Sequence, residues 1–137
     1  GERSSSLMSE EFKLEIISPE KSYFSDEKVI EAVIPGYEGE MGILKDHISL
    51  ISFLKPGIIK VFSKNGEENF YVDDGIAEFK ENTLSILTSS IFNIKNKDKN
   101  YIEKLITETE KELSKQDLED QPKFLFNQKI DVLKSIN

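Results

Sequence analysis

The 137-residue chain carries 18 Lys and Arg against 26 Asp and Glu, a formal net charge of −8 that argues against non-specific binding to nucleic acid or anionic lipid. It contains no cysteine, which excludes a disulfide, a thiolate zinc site and a cysteine nucleophile. No apolar run approaches the roughly 18 residues of a membrane-spanning helix, and the length suits one domain, or one domain with a small appendage.

Gly1 to Leu7 (Gly-Glu-Arg-Ser-Ser-Ser-Leu) reads as a vector-derived remnant before a natural start at Met8, and no secretory or transit peptide is expected. Phe12, Leu14 and Ile16 alternate with Lys13 and Glu15, the period of a half-buried strand. Ser18-Pro19-Glu20 turns the chain, Lys21 to Phe24 can form a short strand, and Lys28 to Ile34 forms a better one, rich in β-branched residues. The stretch from Val33 to His47 follows. Pro35-Gly36 is a turn signal, and glycines at 36, 39 and 42 allow further tight bends around Glu38 and Glu40. A loop so rich in glycine and charge between apolar strands predicts an exposed contact surface on a rigid frame.

Met41 to Leu44 and Ser49 to Leu54 are short apolar pieces, and Lys55-Pro56-Gly57 is the next turn. Ile58 to Phe62 and Asn69 to Val72 flank Lys64-Asn65-Gly66-Glu67, where Asn-Gly signals a hairpin. Asp73-Asp74-Gly75 and Glu81-Asn82 punctuate two more strands, Ile76 to Phe79 and Leu84 to Leu87. Many short strands between regular turn signals predict an antiparallel β-sandwich or barrel, with a mixed α+β domain as the alternative.

The pattern changes at Asn96. Tyr101, Ile102, Leu105, Ile106, Thr109 and Leu113 recur at helical spacing. Asn100 with Glu103 offers a capping box, and Asp98 is a rival cap. Ser114 to Gln121 is polar, and Pro122 stands where helices start. Phe126, Ile130 and Leu133 then line a second helix, widened by Leu125, Val132 and Ile136. The domains expected are therefore a β-sandwich over 8–96 and a helical hairpin over 97–137, an α+β chain. The halves differ in charge: 9 Lys against 16 Asp and Glu in 8–96, a net of −7, and 8 Lys against 9 in 97–137, a net of −1.

The residues offer no catalytic constellation. His47 is the single histidine, so no His cluster can hold a metal. Glu38 and Glu40 read more readily as solvated charges than as an acid/base couple. Asp73-Asp74-Gly75 resembles a fragment of a calcium loop but lacks the other ligand positions, and is read as a turn. There is no G-x-S-x-G elbow and no phosphate-binding G-x-x-x-x-G-K-[ST]. A non-enzymatic interaction protein with no metal or cofactor is expected.

Pro35-Gly-x-Glu38-Gly-Glu40-x-Gly-Ile-Leu-x-x-His47, then Leu54-Lys-Pro-Gly57, Phe70-Tyr-Val-x-x-Gly75-Ile-Ala-Glu78 and Leu84-Ser-Ile-Leu-Thr88, resembles the epsilon subunit of the F-type ATP synthase. The resemblance implies an N-terminal antiparallel β-sandwich and a C-terminal α-helical hairpin, peripheral on the cytoplasmic face of the bacterial inner membrane and without direct membrane insertion. It implies a rotor role: coupling the c-ring to gamma and the catalytic head during proton-driven ATP synthesis, and restraining ATP hydrolysis through the tail. The partners implied are the gamma subunit, the c-ring and the alpha/beta head. The c-ring and gamma contact maps onto Glu40, with Glu38, Gly39, Met41 and His47 as neighbours. The regulatory contact of the tail maps onto Lys123, Phe126, Lys129, Ile130 and Lys134. The ATP motif of some bacterial relatives is poorly kept: Asp98 stands, but Lys97, Tyr101 and Ile102 replace its apolar, arginine and alanine positions. The alternative is a free-standing sandwich that binds a small ligand or carbohydrate and dimerises through its tail.

Overall fold

The computed structural model describes residues 10–115 and 120–136. The expected remnant 1–7 and part of the polar break, 116–119, lie outside the described residues. The strands are β1 (Phe12–Ile17), β2 (Ser22–Gly36), β3 (Gly39–Leu44), β4 (Leu50–Leu54), β5 (Gly57–Ser63), β6 (Gly66–Val72), β7 (Gly75–Lys80), β8 (Thr83–Leu87) and β9 (Ile91–Asn93). A 3-10 turn over Ile94–Asn96 leads into helices α1 (Lys99–Lys115) and α2 (Asp120–Ile136).

Two layers form the sandwich. One runs from the first half of β2 through β1, β8 and β7 to β4. The other runs from β3 through the second half of β2 to β5, β6 and β9. Strand β2 belongs to both, and a Gly36–Leu54 pairing ties the layers at one corner. Among the described residues all pairings are antiparallel except β1 with β8, where Leu14 lies beside Leu84 in a parallel ladder.

One expectation is corrected and two are refined. The pieces 21–24 and 28–34 are one strand. The polar Ser25-Asp26-Glu27 between them is a bridging segment, because the Asp26 carboxylate accepts from the Lys28 amide (2.8 Å), the Ser63 hydroxyl (2.7 Å) and the Asn65 amide group (3.1 Å). A register shift in the β2–β5 pairing between Val29 and Glu31 lies next to this crossing. At the Lys64–Asn65 hairpin the left-handed residue is Gly66 (φ +122°). The two-residue turn with both centres left-handed is Glu81–Asn82 (φ 51° and 56°). Its geometry matches strand twist, and Asn82 is held by Asp46: the Asp46 amide donates to Asn82 Oδ1 at 2.7 Å, and Asn82 Nδ2 donates to Asp46 Oδ1 at 3.0 Å. Finally, the cap of α1 is Asp98, whose Oδ1 accepts from the Tyr101 amide at 2.8 Å; the Asn100 capping box does not form.

The period-2 alternation of β1 buries Phe12, Leu14 and Ile16 against Ile34, Ile59, Phe79 and Leu84 in one core. Phe12 meets Phe79 edge-on at 5.6 Å, and Phe70 is flanked by Phe24 at 5.0 Å and Tyr23 at 6.0 Å. Side chains of this size each contribute about 1.5–3 kcal/mol when fully buried. A second cluster joins Tyr71 and Phe92 to Ile102, Ile106, Ile130 and Leu133. The helical hairpin is therefore folded against the outer face of the β5–β6–β9 layer. Phe70, Tyr71 and Val72 are all buried for this reason: alternate side chains enter the sandwich, and Tyr71 between them meets the hairpin.

Candidate docking surfaces

The loop from Gly36 to Gly39 is built by its backbone. Gly36 pairs with Gly39 across the turn Tyr37–Glu38. Gly39 takes φ +128° in open space, so the demand for glycine there is conformational. The root of the loop is tight: a Cβ on Gly57 would come 2.4 Å from Pro35 Cβ, and one on Gly36 would come 2.9 Å from Ser52 Oγ. Tyr37 donates its amide to Phe53 at 3.0 Å, and Lys55 donates to Pro35 at 3.0 Å. On this stiff base Glu38 and Glu40 are exposed, while Met41 turns partly into the core. Glu40 also borders a cleft of about 340 Å³ between the sandwich and α2, lined with Lys55, Lys60, Gln128 and Ser135.

His47 does not join this group. Strand β3 has six residues and separates the two by roughly 17 Å. His47 sits at the opposite end of the sandwich, its ring edge-on to Phe79 at 6.0 Å and its Nδ1 2.9 Å from the Ile48 carbonyl oxygen. Next to the Asp46–Asn82 clasp, it braces a turn.

Sequence reasoning missed the bare face of the β1–β8–β7–β4 layer. Phe53 pairs with Ile76, Ile76 with Leu87, and Leu87 with Ile17, which forms one apolar row across four strands. Phe53 is 62% exposed, Leu87 51% and Ile76 41%, with Ile51 and Tyr37 exposed beside them. Tyr37, Phe53, Ile76 and Leu87 also line a shallow cleft of about 630 Å³ that reaches Pro19 and Asp74. Contiguous exposed apolar surface marks an interaction site. The signal was in β4, Leu50-Ile51-Ser52-Phe53-Leu54, which is apolar on both faces and so needs a cover on each.

The tail residues are engaged within the chain. Ile130 and Leu133 are buried, and Phe126 is half-buried. Lys129 pairs with Asp73 at 3.1 Å, and Lys134 approaches Glu110 at 4.0 Å. Lys123 and Phe124 are exposed. Asp73, read from sequence as a turn residue, thus also meets the hairpin. Beside it burial, then the Asp73 charge, raises the Tyr71 phenol far above its usual pKa. At the foot of β9, hydrogen bonds from Lys95 and then Asn93 hold the Glu68 carboxyl below its usual pKa. Tyr101 packs edge-on against Phe92 at 5.6 Å, with Lys97 Nζ 4.6 Å from its ring centre. Among the described residues no group of three His, Cys, Asp or Glu is placed to hold a metal ion, and no helix is long and apolar enough to cross a membrane.

Residues 11–94 match the family profile described as ATP synthase, Delta/Epsilon chain, beta-sandwich domain. The ATP synthase epsilon chain of Pelagibacter ubique (strain HTCC1062) is 65% identical over 130 residues, 95% of this chain and 100% of the relative. A chain of the Euglena gracilis mitochondrial ATP synthase, in an OSCP/F1/c-ring assembly, superposes with a TM-score of 0.68 at 20% identity, covering 88% of this chain and 76% of that one. A chain of the Tetrahymena thermophila mitochondrial ATP synthase, from a central stalk/c-ring structure, gives 0.63 at 16% identity, covering 90% and 93%. The two solved structures share the fold, and the profile match with the near-full-length identity settles the family: this chain belongs to the epsilon chains of the F-type ATP synthase.

Proposed function

We propose that the chain works in the central stalk as a non-catalytic rotor subunit, coupling the c-ring to gamma and the catalytic head while its C-terminal helices restrain ATP hydrolysis. The observation that carries this reading is the junction of two unlike surfaces at one end of the sandwich. The apolar row Phe53–Ile76–Leu87 runs up to Tyr37, and the next residues are the exposed Glu38-Gly39-Glu40 loop. An apolar face suits a permanent partner, and gamma is assigned to it. A carboxylate loop on a rigid base suits polar loops presented by a turning ring, and the c-ring is assigned to Glu38, Gly39 and Glu40, with Met41 anchoring the strand behind them. His47, at the far end, stands outside that contact.

In the docked hairpin Lys129, Ile130 and Lys134 are already occupied, so the tail reaches the alpha/beta head only after leaving its seat. The site of work is the cytoplasmic face of the bacterial inner membrane, held there by the complex. Co-purification with gamma tests the assignment: wild type is retained, and Phe53→Glu and Ile76→Glu each lose gamma while remaining folded. A folded wild-type chain that binds neither gamma nor the c-ring removes the reading. For the tail, ATP hydrolysis by the assembled complex is compared between the full chain and one ending at Asn96. Equal rates remove the restraint.

A further inference from the structure

Asp73 follows β6 directly, and the sandwich has already satisfied part of its carboxylate. The Tyr71 hydroxyl donates to Oδ1 at 2.8 Å, and the Ser90 hydroxyl donates to Oδ2 at 2.7 Å. The Asp73 amide donates to the Ser90 carbonyl at 3.2 Å, which fixes the backbone beneath. All three groups belong to the strands and their turns. Into the remaining side comes a cation from α2: Lys129 Nζ lies 3.1 Å from Oδ1 and 3.3 Å from Oδ2. Both side chains are mostly shielded, at 23% and 28% exposure. The Tyr71 ring stacks on Phe92 at 5.1 Å and joins the apolar cluster that seats Ile102, Ile106, Ile130 and Leu133. The polar and apolar parts of the hairpin's seat therefore meet at one tyrosine.

We propose that Asp73 is a cation socket built into the sandwich, which grips Lys129 and sets how readily the helical hairpin leaves its docked position. The inference rests on the reading that the tail regulates hydrolysis, and deepens it. Two neutral donors orient the carboxylate whether or not the hairpin is present, so Lys129 meets a preorganised acceptor. When α2 leaves, both hydroxyls stay with Asp73 and its cation is lost. The freed Lys129 charge then becomes available to an acidic partner elsewhere. One ammonium group cannot serve both places, so a stronger socket means a less populated extended tail.

The isolated full chain provides the test. It has no cysteine, so labels at Ser25→Cys and Glu108→Cys, both exposed sites, report the sandwich–hairpin distance. Docked and undocked populations are counted in urea, at a concentration where the unsubstituted chain shows a ratio near one. Lys129→Met and Asp73→Asn are each expected to shift that ratio about fivefold towards undocked, a size suited to a partly shielded pair. The double variant is expected to shift it no further than either single one. Asp73→Asn keeps one oxygen as acceptor for one hydroxyl and offers its NH2 group to the other, which turns to accept, so the turn stays folded. An unmoved ratio in both variants, or strictly additive effects, overturns the socket. Hydrolysis by the assembled complex is read separately. A shifted ratio with unchanged hydrolysis keeps the socket and removes tail inhibition, whereas an unmoved ratio with altered hydrolysis removes the socket alone.

Discussion

Glu40 projects from a loop whose glycines set the backbone and whose root is packed against Pro35, Ser52 and Gly57. Reversing its charge alters the surface offered to a partner and leaves the frame alone. Glu40→Lys is expected to lower ATP-driven proton pumping in the assembled complex, while the isolated variant unfolds within about 0.5 kcal/mol of wild type. Unchanged pumping removes the ring contact. Glu68 gives a prediction that depends on pH. Its carboxyl is held below the usual pKa by hydrogen bonds from Lys95 and Asn93. Because the folded value is depressed, the stabilisation is present above the unfolded value near 4.5 and lost as pH falls through the folded one. Urea midpoints of wild type and Glu68→Gln should therefore differ at neutral pH and draw together as the pH falls below 4.5. A gap that persists in acid contradicts the assignment.

The helical hairpin is the element most open to removal. The sandwich core around Leu14, Ile34, Phe70 and Leu84 lies entirely within the strands, so a chain ending at Asn96 is expected to melt cooperatively. It uncovers Tyr71 and Phe92, however, and should lose roughly 3 kcal/mol with them; loss of cooperativity would show that the strands cannot stand alone. A second expectation concerns the released tail, which offers Lys123, Lys129 and Lys134 but also carries Asp131. Exposed pairs are weak and screened, so inhibition of hydrolysis should be slight and fade with added salt. Strong inhibition that survives high salt points to anchoring by Phe124, Phe126 and Ile130. Much of this was legible in sequence. Alternation marked β1, and Tyr101 to Leu113 marked α1, because one-sided burial leaves a period. The unity of β2 was hidden because Asp26 finds its partners on Ser63 and Asn65, far along the chain. The bare face was hidden because Ile51 and Phe53 look like core residues in a one-dimensional pattern. Asp73 was hidden because a turn residue and an anchoring residue have the same letter.

For the whole molecule, the expectation that ATP finds no site rests on what already fills the relevant corner. Asp98 is engaged as the cap of α1, and Tyr101, at the position of the motif's arginine, lies between Phe92 and Lys97. A tyrosine supplies no forked cation for phosphates. Isothermal titration of ATP into the isolated chain is expected to show no saturable binding in the micromolar range, which requires about −8 kcal/mol. One-to-one binding lost on Asp98→Ala contradicts this. The parallel pairing of β1 with β8 has a consequence of another kind, in time. Leu14 cannot meet Leu84 until the ribosome has delivered nearly the whole sandwich. At about 5–20 residues per second the first strand waits on the order of 4–14 s with one edge unmade. Closure of the sandwich is therefore a late event of synthesis, and refolding in vitro should be slow for a chain of this size, since non-local pairing delays the transition state. The first strand of the sandwich to be made is among the last to have both edges paired.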